Sequence, residues 1–405
     1  MIFHYLKIAF RNLCKHKTQN IISIIGLAVG LLCFCVCIYC SRFVESTDHC
    51  FANHDRIAEL NLYDGKADRY FSGSPVPLAE ELRTWALGET EAISSVTYPR
   101  ERPYYVELSP EKTLPYELET IEIDTCYNKI FTPEMVAGHW KMASQSLNSV
   151  ILSQSMAIKI FGNAERSIGK HMTLMRRLNT SPESTPKTGG IVYIIQAVMK
   201  DIPLNNSLDF MQNIDMLTVN DSEGLLQSPK RHNMTGANTY VLLSPQTTCT
   251  DLEKQFSKRD YTYTLYDEAY TVTASNMGSR LKKQGASYLE LVTGTVGTLI
   301  LLVGLINFFH FLIGSFFNRT KEYSIMKMIG CNWKQLFCLL FTQSLIVISI
   351  SSILVLSGIE LLGNHMNFSL PGFAMTFTSE TLLIHALQYI VLLIILCVFI
   401  CLSVS

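Results

Sequence analysis

Apolar residues gather in four long runs of this chain, Ile21 to Tyr39, Leu291 to Phe317, Leu336 to Leu362 and Leu382 to Leu402, and none of these runs contains Lys or Arg. A helix needs about 20 apolar residues to cross a hydrocarbon core about 30 Å thick, so each run predicts a transmembrane helix. The first run is too long for a signal-peptide core, and no small-x-small cleavage motif follows it, so it is expected to remain as an anchor. Residues 288–317 would rise about 45 Å as a helix and project beyond the bilayer.

Between the first two runs the pattern changes to short strands and short helices. A helix is predicted over Leu78–Trp85, a strand over Ile93–Leu108 interrupted by Pro99 and Pro103, and a strand over Val150–Leu152. Ser153 can cap a helix over Gln154–Phe161 that stops at Gly162. Ile191–Met199, Thr239–Leu243 and Tyr261–Leu265 read as strands, Asp251–Lys258 as a helix, and Leu178–Gly190 as a loop. The expected fold class is an α+β membrane protein, with four transmembrane helices and a large mixed α/β extracytoplasmic domain, 41–287, between helices 1 and 2.

Charge orients this arrangement. Residues 1–20 carry Lys7, Arg11, Lys15 and Lys17 and no acid, and 318–335 carry Arg319, Lys321, Lys327 and Lys334 against Glu322 alone, whereas 363–381 hold no Lys or Arg. By the positive-inside rule the first two segments are cytoplasmic, which puts the N-terminus inside and 41–287 outside. In 1–20, Ile2, Leu6, Ala9 and Leu13 recur at helical spacing opposite Lys7, Arg11 and Lys15, as in an amphipathic helix on the inner leaflet.

Composition agrees with a membrane protein: 17% of residues are charged and the mean hydropathy is +0.21. With 33 basic against 34 acidic residues, no nucleic-acid partner is expected. Only Cys50, Cys126 and Cys249 lie well outside the runs and their flanks, an odd number that implies no disulfide framework. Gly162 to His171 ends in Gly-Lys-His, but lacks the Gly and the Ser or Thr of a phosphate loop, so no nucleotide cofactor is expected in this chain. No metal-ligand spacing and no catalytic constellation occur, so the chain is not expected to be an enzyme. His310, His385 and Glu360 lie near predicted span ends, where snorkelling or an interhelical hydrogen bond explains them. Gly26 and Gly30 form a Gly-x-x-x-Gly face, and Gly297 and Gly304 stand seven apart, so these four are candidates for a subunit interface.

Several segments together resemble the FtsX-like, MacB-type permeases of bacterial ABC transporters. They are Leu6-Lys-Ile-Ala-Phe-Arg-Asn-Leu13 with Gly26 to Gly30, Ser153 to Gly162 with Ile168-Gly-Lys170, Tyr193 to Pro203, and Arg319 to Gly330 with Asn307 and Lys334-Gln-Leu336. The resemblance implies a MacB-like core domain at 41–287 and a cytoplasmic coupling helix within 318–335. It implies that Arg319, Lys321, Glu322, Tyr323, Lys327 and Gly330 engage a separate cytoplasmic ABC ATPase, which binds the ATP. It further implies a homodimer or pseudo-dimer in the bacterial inner membrane, a periplasmic adaptor or lipoprotein as partner, and a mechanism that relays the ATPase cycle to the external domain in export or efflux. Gln343 stands where the family often has Glu early in span three. The absence of a basic flank after span four leads us to expect either a dispensable tail or the first half of a longer permease. The alternative class is a membrane-anchored receptor, which one span would serve.

The orientation predicts that, in a cysteine-free background, a membrane-impermeant thiol reagent labels Thr185→Cys in intact spheroplasts and leaves Ser324→Cys unlabelled. Labelling of Ser324→Cys alone would reverse the topology.

Overall fold

The computed structural model describes residues 7, 10–11, 17–71, 73–109, 112–174, 190–208, 213–222, 224–227, 236–265, 268–279, 287–317, 320–365, 367–370, 373–376 and 379–404. Most of the predicted amphipathic segment and nearly all of the predicted loop Leu178–Gly190 lie outside the described residues. The chain divides into two compact units, Met1–Glu45 with Gly285–Ser405, and Ser46–Gln284.

The first unit opens with α1 (Lys17–Glu45). The second unit then follows as β1 (Ile57–Asp64), β2 (Arg69–Tyr70), α2 (Leu78–Thr84), β3 (Thr90–Thr97), β4 (Arg100–Ser109), β5 (Lys112–Ile123), α3 (Tyr127–Phe131) and β6 (Met135–Gly138). It continues through α4 (Trp140–Gln145), β7 (Ser149–Ser153), α5 (Gln154–Phe161), β8 (His171–Leu174), β9 (Val192–Met199) and β10 (Met216–Val219). It ends with β11 (Ala237–Leu243), α6 (Cys249–Lys258), β12 (Thr262–Leu265) and β13 (Glu268–Asn276). The chain returns to the first unit as α7 (Ser287–Phe317), α8 (Thr320–Met328), α9 (Trp333–His365), the hairpin β14 (Asn367–Leu370) and β15 (Phe373–Thr376), and α10 (Ser379–Val404).

In the second unit the local signals act as the sequence expects. The Ser153 side chain accepts a hydrogen bond from the Met156 N–H, and Gly162 ends α5 at φ 78°. Pro99 divides the expected strand Ile93–Leu108 into β3 and β4, while Pro103 stays inside β4. Among the described residues thirteen strands join in one sheet, with a closed part and an open part. β10 pairs in parallel with β5 and antiparallel with β7, so β5, β10, β7, β9, β8 and β4 form a ring, a six-stranded barrel. Side chains alternate across a strand, and each wall strand turns one parity inward. Tyr104, Val106, Leu118, Val150, Leu152, Met172, Tyr193, Ile195 and Met216 thus fill one buried cluster, to which α5 adds Met156, Ala157 and Ile160. Its largest members, Tyr104 and Tyr193, meet edge to face with centroids 5.9 Å apart.

From β5 the open part runs through β3, β11, β1, β13 and β12, all antiparallel. Ala58, Leu60 and Leu62 of β1 pack with Leu78 and Leu82 of α2 and with Leu252 and Phe256 of α6. The opposite parity, including Ile57, Val96, Tyr240 and Leu242, packs with α3 and with outward residues of the barrel such as Ile121, Ile151 and Leu217.

Among the described residues of the first unit three helices are long and apolar enough to cross a membrane, over Asn20–Glu45, Glu290–Gly314 and Trp333–Leu361. The fourth expected span falls in α10, whose described apolar stretch, Ala386–Phe399, is shorter than a spanning helix. α1 and α7 pack along each other at their glycines. A Cβ on Gly30 would stand 3.3 Å from Gly304 Cα, one on Gly297 would stand 2.6 Å from Cys37 Cβ, and one on Gly26 would overlap the Asn307 amide. The four glycines expected from sequence at a subunit interface line a contact between α1 and α7 of the same chain. Each helix supplies the partner that the other's small-residue face requires. α9 joins α1 through Ser351, whose hydroxyl donates to the Ile24 carbonyl at 3.1 Å. α10 joins through Tyr389, set edge to face on Phe34 at 4.3 Å.

Gly30→Val places extra carbons against the Gly304 backbone and should cost about 1–3 kcal/mol. Gly304→Ala meets nothing closer than 3.6 Å and should be tolerated. Thermal melting of the purified variants checks this; equal midpoints would mean that the α1–α7 contact has no role in stability.

Candidate functional site

α8 and its turn into α9 hold the residues that sequence reasoning selected. The helix opens with Thr320, whose hydroxyl donates to the Phe317 carbonyl at 2.6 Å. Its end is a full Schellman motif: the Gly330 N–H donates to the Lys327 carbonyl at 3.1 Å and the Cys331 N–H to the Met326 carbonyl at 2.9 Å. This geometry needs a left-handed residue, and Gly330 supplies it at φ 96°. Asn332 then caps α9, and the Gln335 side chain accepts from the Asn332 N–H at 3.1 Å. Two helices are thus joined by a turn whose geometry is fixed residue by residue.

Two faces of α8 differ in what they touch. Tyr323 is 4% exposed and stacks on Phe316, centroids 5.6 Å apart, with Met326 packed on the same core. Tyr323, expected from sequence to engage a partner, has its ring packed on the helix bundle, where it fastens α8. Lys321, Glu322, Lys327 and Gly330 are exposed, and Arg319 lies outside the described residues. On the outward side, Ile325, Met328 and Ile329 are exposed as well, Met328 at 79% and Ile329 at 82%. Trp333, at the start of α9, is also exposed, with the Lys334 ammonium 5.8 Å from its ring centroid. Sequence reasoning missed these apolar residues. The signal was their spacing, since 325, 328 and 329 form a stripe at helical intervals distinct from the 323 and 326 stripe.

The other candidates lie apart from this turn. His310 and Glu360 are exposed on α7 and α9, and the His385 side chain is outside the described residues. Gln343 and Ser344 are buried in α9. Among the described residues no three His, Cys, Asp or Glu side chains gather as metal ligands would.

Residues 294–405, which contain most of α7 and all of α8, α9 and α10, match the FtsX-like permease C-terminal family. The match covers less than half of the chain and makes this C-terminal stretch similar to FtsX-like permeases. Members of this family are membrane components of ABC transporters. No curated protein matches the sequence. Among solved structures, a domain of a putative permease protein from Porphyromonas gingivalis is 20% identical at a TM-score of 0.42, covering 56% of this chain and 93% of its own. The periplasmic region of MacB from Actinobacillus actinomycetemcomitans is 12% identical at 0.37, covering 60% and 96%. The extracellular domain of the noncanonic ABC-type transporter YknZ from Gram-positive bacteria is 13% identical at 0.32, covering 54% and 100%.

At Gly330 a Cβ would meet open space, so any cost of substitution comes from the backbone angle alone. Gly330→Ala and Gly330→Val should each destabilise the turn by about 1–3 kcal/mol, and Gly330→Asn by less, because Asn tolerates left-handed angles. Thermal unfolding of the purified protein ranks them. Equal midpoints for all three variants and the parent would contradict a strain set by φ.

Proposed function

We propose that this chain is an FtsX-like permease that pairs with a separate cytoplasmic ABC ATPase and relays its nucleotide cycle to an extracytoplasmic domain, residues 46–284, in an export or efflux system. The observation that carries this reading is the outward face of α8, where exposed Ile325, Met328 and Ile329 stand among the cations Lys321 and Lys327. An apolar stripe rimmed by charge suits a short helix inserted in a protein groove. The buried Tyr323 and the Gly330 turn couple a push on that helix to α9 instead of letting it swing alone. In this reading α10 completes four spans, the N-terminus is cytoplasmic, and the protein sits in a bacterial inner membrane. It works as a homodimer or pseudo-dimer, with an adaptor or lipoprotein partner outside, and ATP is bound by the ATPase.

Glu322→Arg keeps the segment cationic and Ile329→Asp alters only an exposed position, so both should insert at normal abundance. Each is expected to lower stimulation of, and co-purification with, the ATPase at least tenfold. Unchanged coupling in both would leave α8 as a topology signal only.

A further inference from the structure

The barrel of the second unit has a polar mouth that the permease reading does not use. A cleft of about 290 Å³ opens there, lined by Glu80 and Arg83 of α2, Ser95 of β3, Glu122 and Asp124 at the end of β5, and Asp221 just after β10. β5 and β10 run in parallel, Thr218 beside Glu122, so both carboxyl ends open at one place. Ligands favour the mouths of barrels and the carboxyl ends of parallel strands.

The inward parity that is apolar deeper in the barrel turns charged at this end. Arg102 and Glu122 continue the inward rows of β4 and β5, with the guanidinium 2.5 Å from Glu122 Oε1 and 3.8 Å from Asp221 Oδ2. Burial works to lower the Arg102 guanidinium, but Glu122, Tyr104 and Asp221 outweigh it and hold it above its ordinary value. Arg83 is engaged by Asp124 and by the Ile93 carbonyl. Among the described residues the four carboxylates thus exceed the two guanidiniums, a net charge of −2. One lining group also lacks an internal partner. Ser95 is 4% exposed, and its hydroxyl has no hydrogen-bond partner among the described residues. It shares its strand face with Ile93, which packs under α2, so the hydroxyl is turned towards the α2 wall of the cleft. A buried hydroxyl left without a partner keeps its desolvation cost, which a bound donor would recover.

We propose that this cleft binds a small organic cation, its ammonium group held among Glu80, Glu122, Asp124 and Asp221 and donating to Ser95 Oγ. A volume near the lower end for ligand pockets limits the ligand to a few heavy atoms beyond the ammonium. The excess of carboxylates repels anions, and the lining is too polar for a hydrocarbon.

Calorimetry on the full chain in zwitterionic nanodiscs tests this with three four-carbon probes, 1,4-diaminobutane, 1,4-butanediol and succinate. The diamine should bind one per chain and at least tenfold tighter than either of the others. Ser95→Ala and Glu80→Gln, both expected to fold normally, should each weaken it at least threefold with a ligand-free melting midpoint no lower than the parent's. Equal affinities for the three probes, no diamine binding up to millimolar concentration, or full binding in both variants would overturn the proposal. No ATPase is present, so the outcome is separate from that of the permease reading.

Discussion

The approach of α1 to α7 at Gly30 and Gly304 is the contact on which the membrane unit depends. Lipid tails are as apolar as leucine, so long apolar helices gain little by hiding their side chains from lipid, and close backbone packing decides which faces meet. With no side chain on either glycine, the two backbones come within van der Waals reach. α1 then has its other sides left for α9, through Ser351 and the close fit of Gly358 on Leu32, and for α10, through Phe34 on Tyr389. One helix serves as the post for three. The same contact sets Ser41, near the end of α1, close to Gly294, near the start of α7.

What could be read in the second unit was local. Ser153 and Gly162 each act within one turn of α5, so a single sequence exposes both. β1 was not legible in the same way, because Ala58, Glu59, Leu60, Asn61 and Leu62 include no β-branched residue and favour helix by propensity. Its conformation is imposed from both sides, by β11 opposite Glu59 at Tyr240 and by β13 opposite Leu60 at Ala274. Barrel closure was further out of reach. It rests on Met216 lying beside Thr120, a pairing far apart in sequence that no local periodicity records.

At α8 the sequence exposed the turn better than the surface. Gly330 was readable as a helix end because a left-handed residue after a helical run is nearly a glycine signature, and the angle is as expected. The burial of Tyr323 was not legible, because an aromatic ring with a polar tip suits either a partner or a core, and its packing here depends on Phe316 one helix earlier. Once Tyr323 and Met326 face the bundle, helical geometry turns Ile325, Met328 and Ile329 outward. The burial of one residue thus reveals three exposed apolar ones that charge alone does not pick out.

Burial of Tyr323 also decides how α8 can act in the proposed permease. A helix tied to its neighbours by loops alone would absorb a push as local motion, since loops yield at low cost. Here one end is fixed by the Schellman turn and the Asn332 cap, and the middle by the Tyr323 ring on Phe316. A force on Ile329 must then either break those hydrogen bonds and that ring contact or move α7 and α9 together, and the second course leaves every contact intact. In the proposed reading the stiff joint suits the exposed apolar stripe to transmission as well as to binding, because binding alone would need no fixed turn behind it.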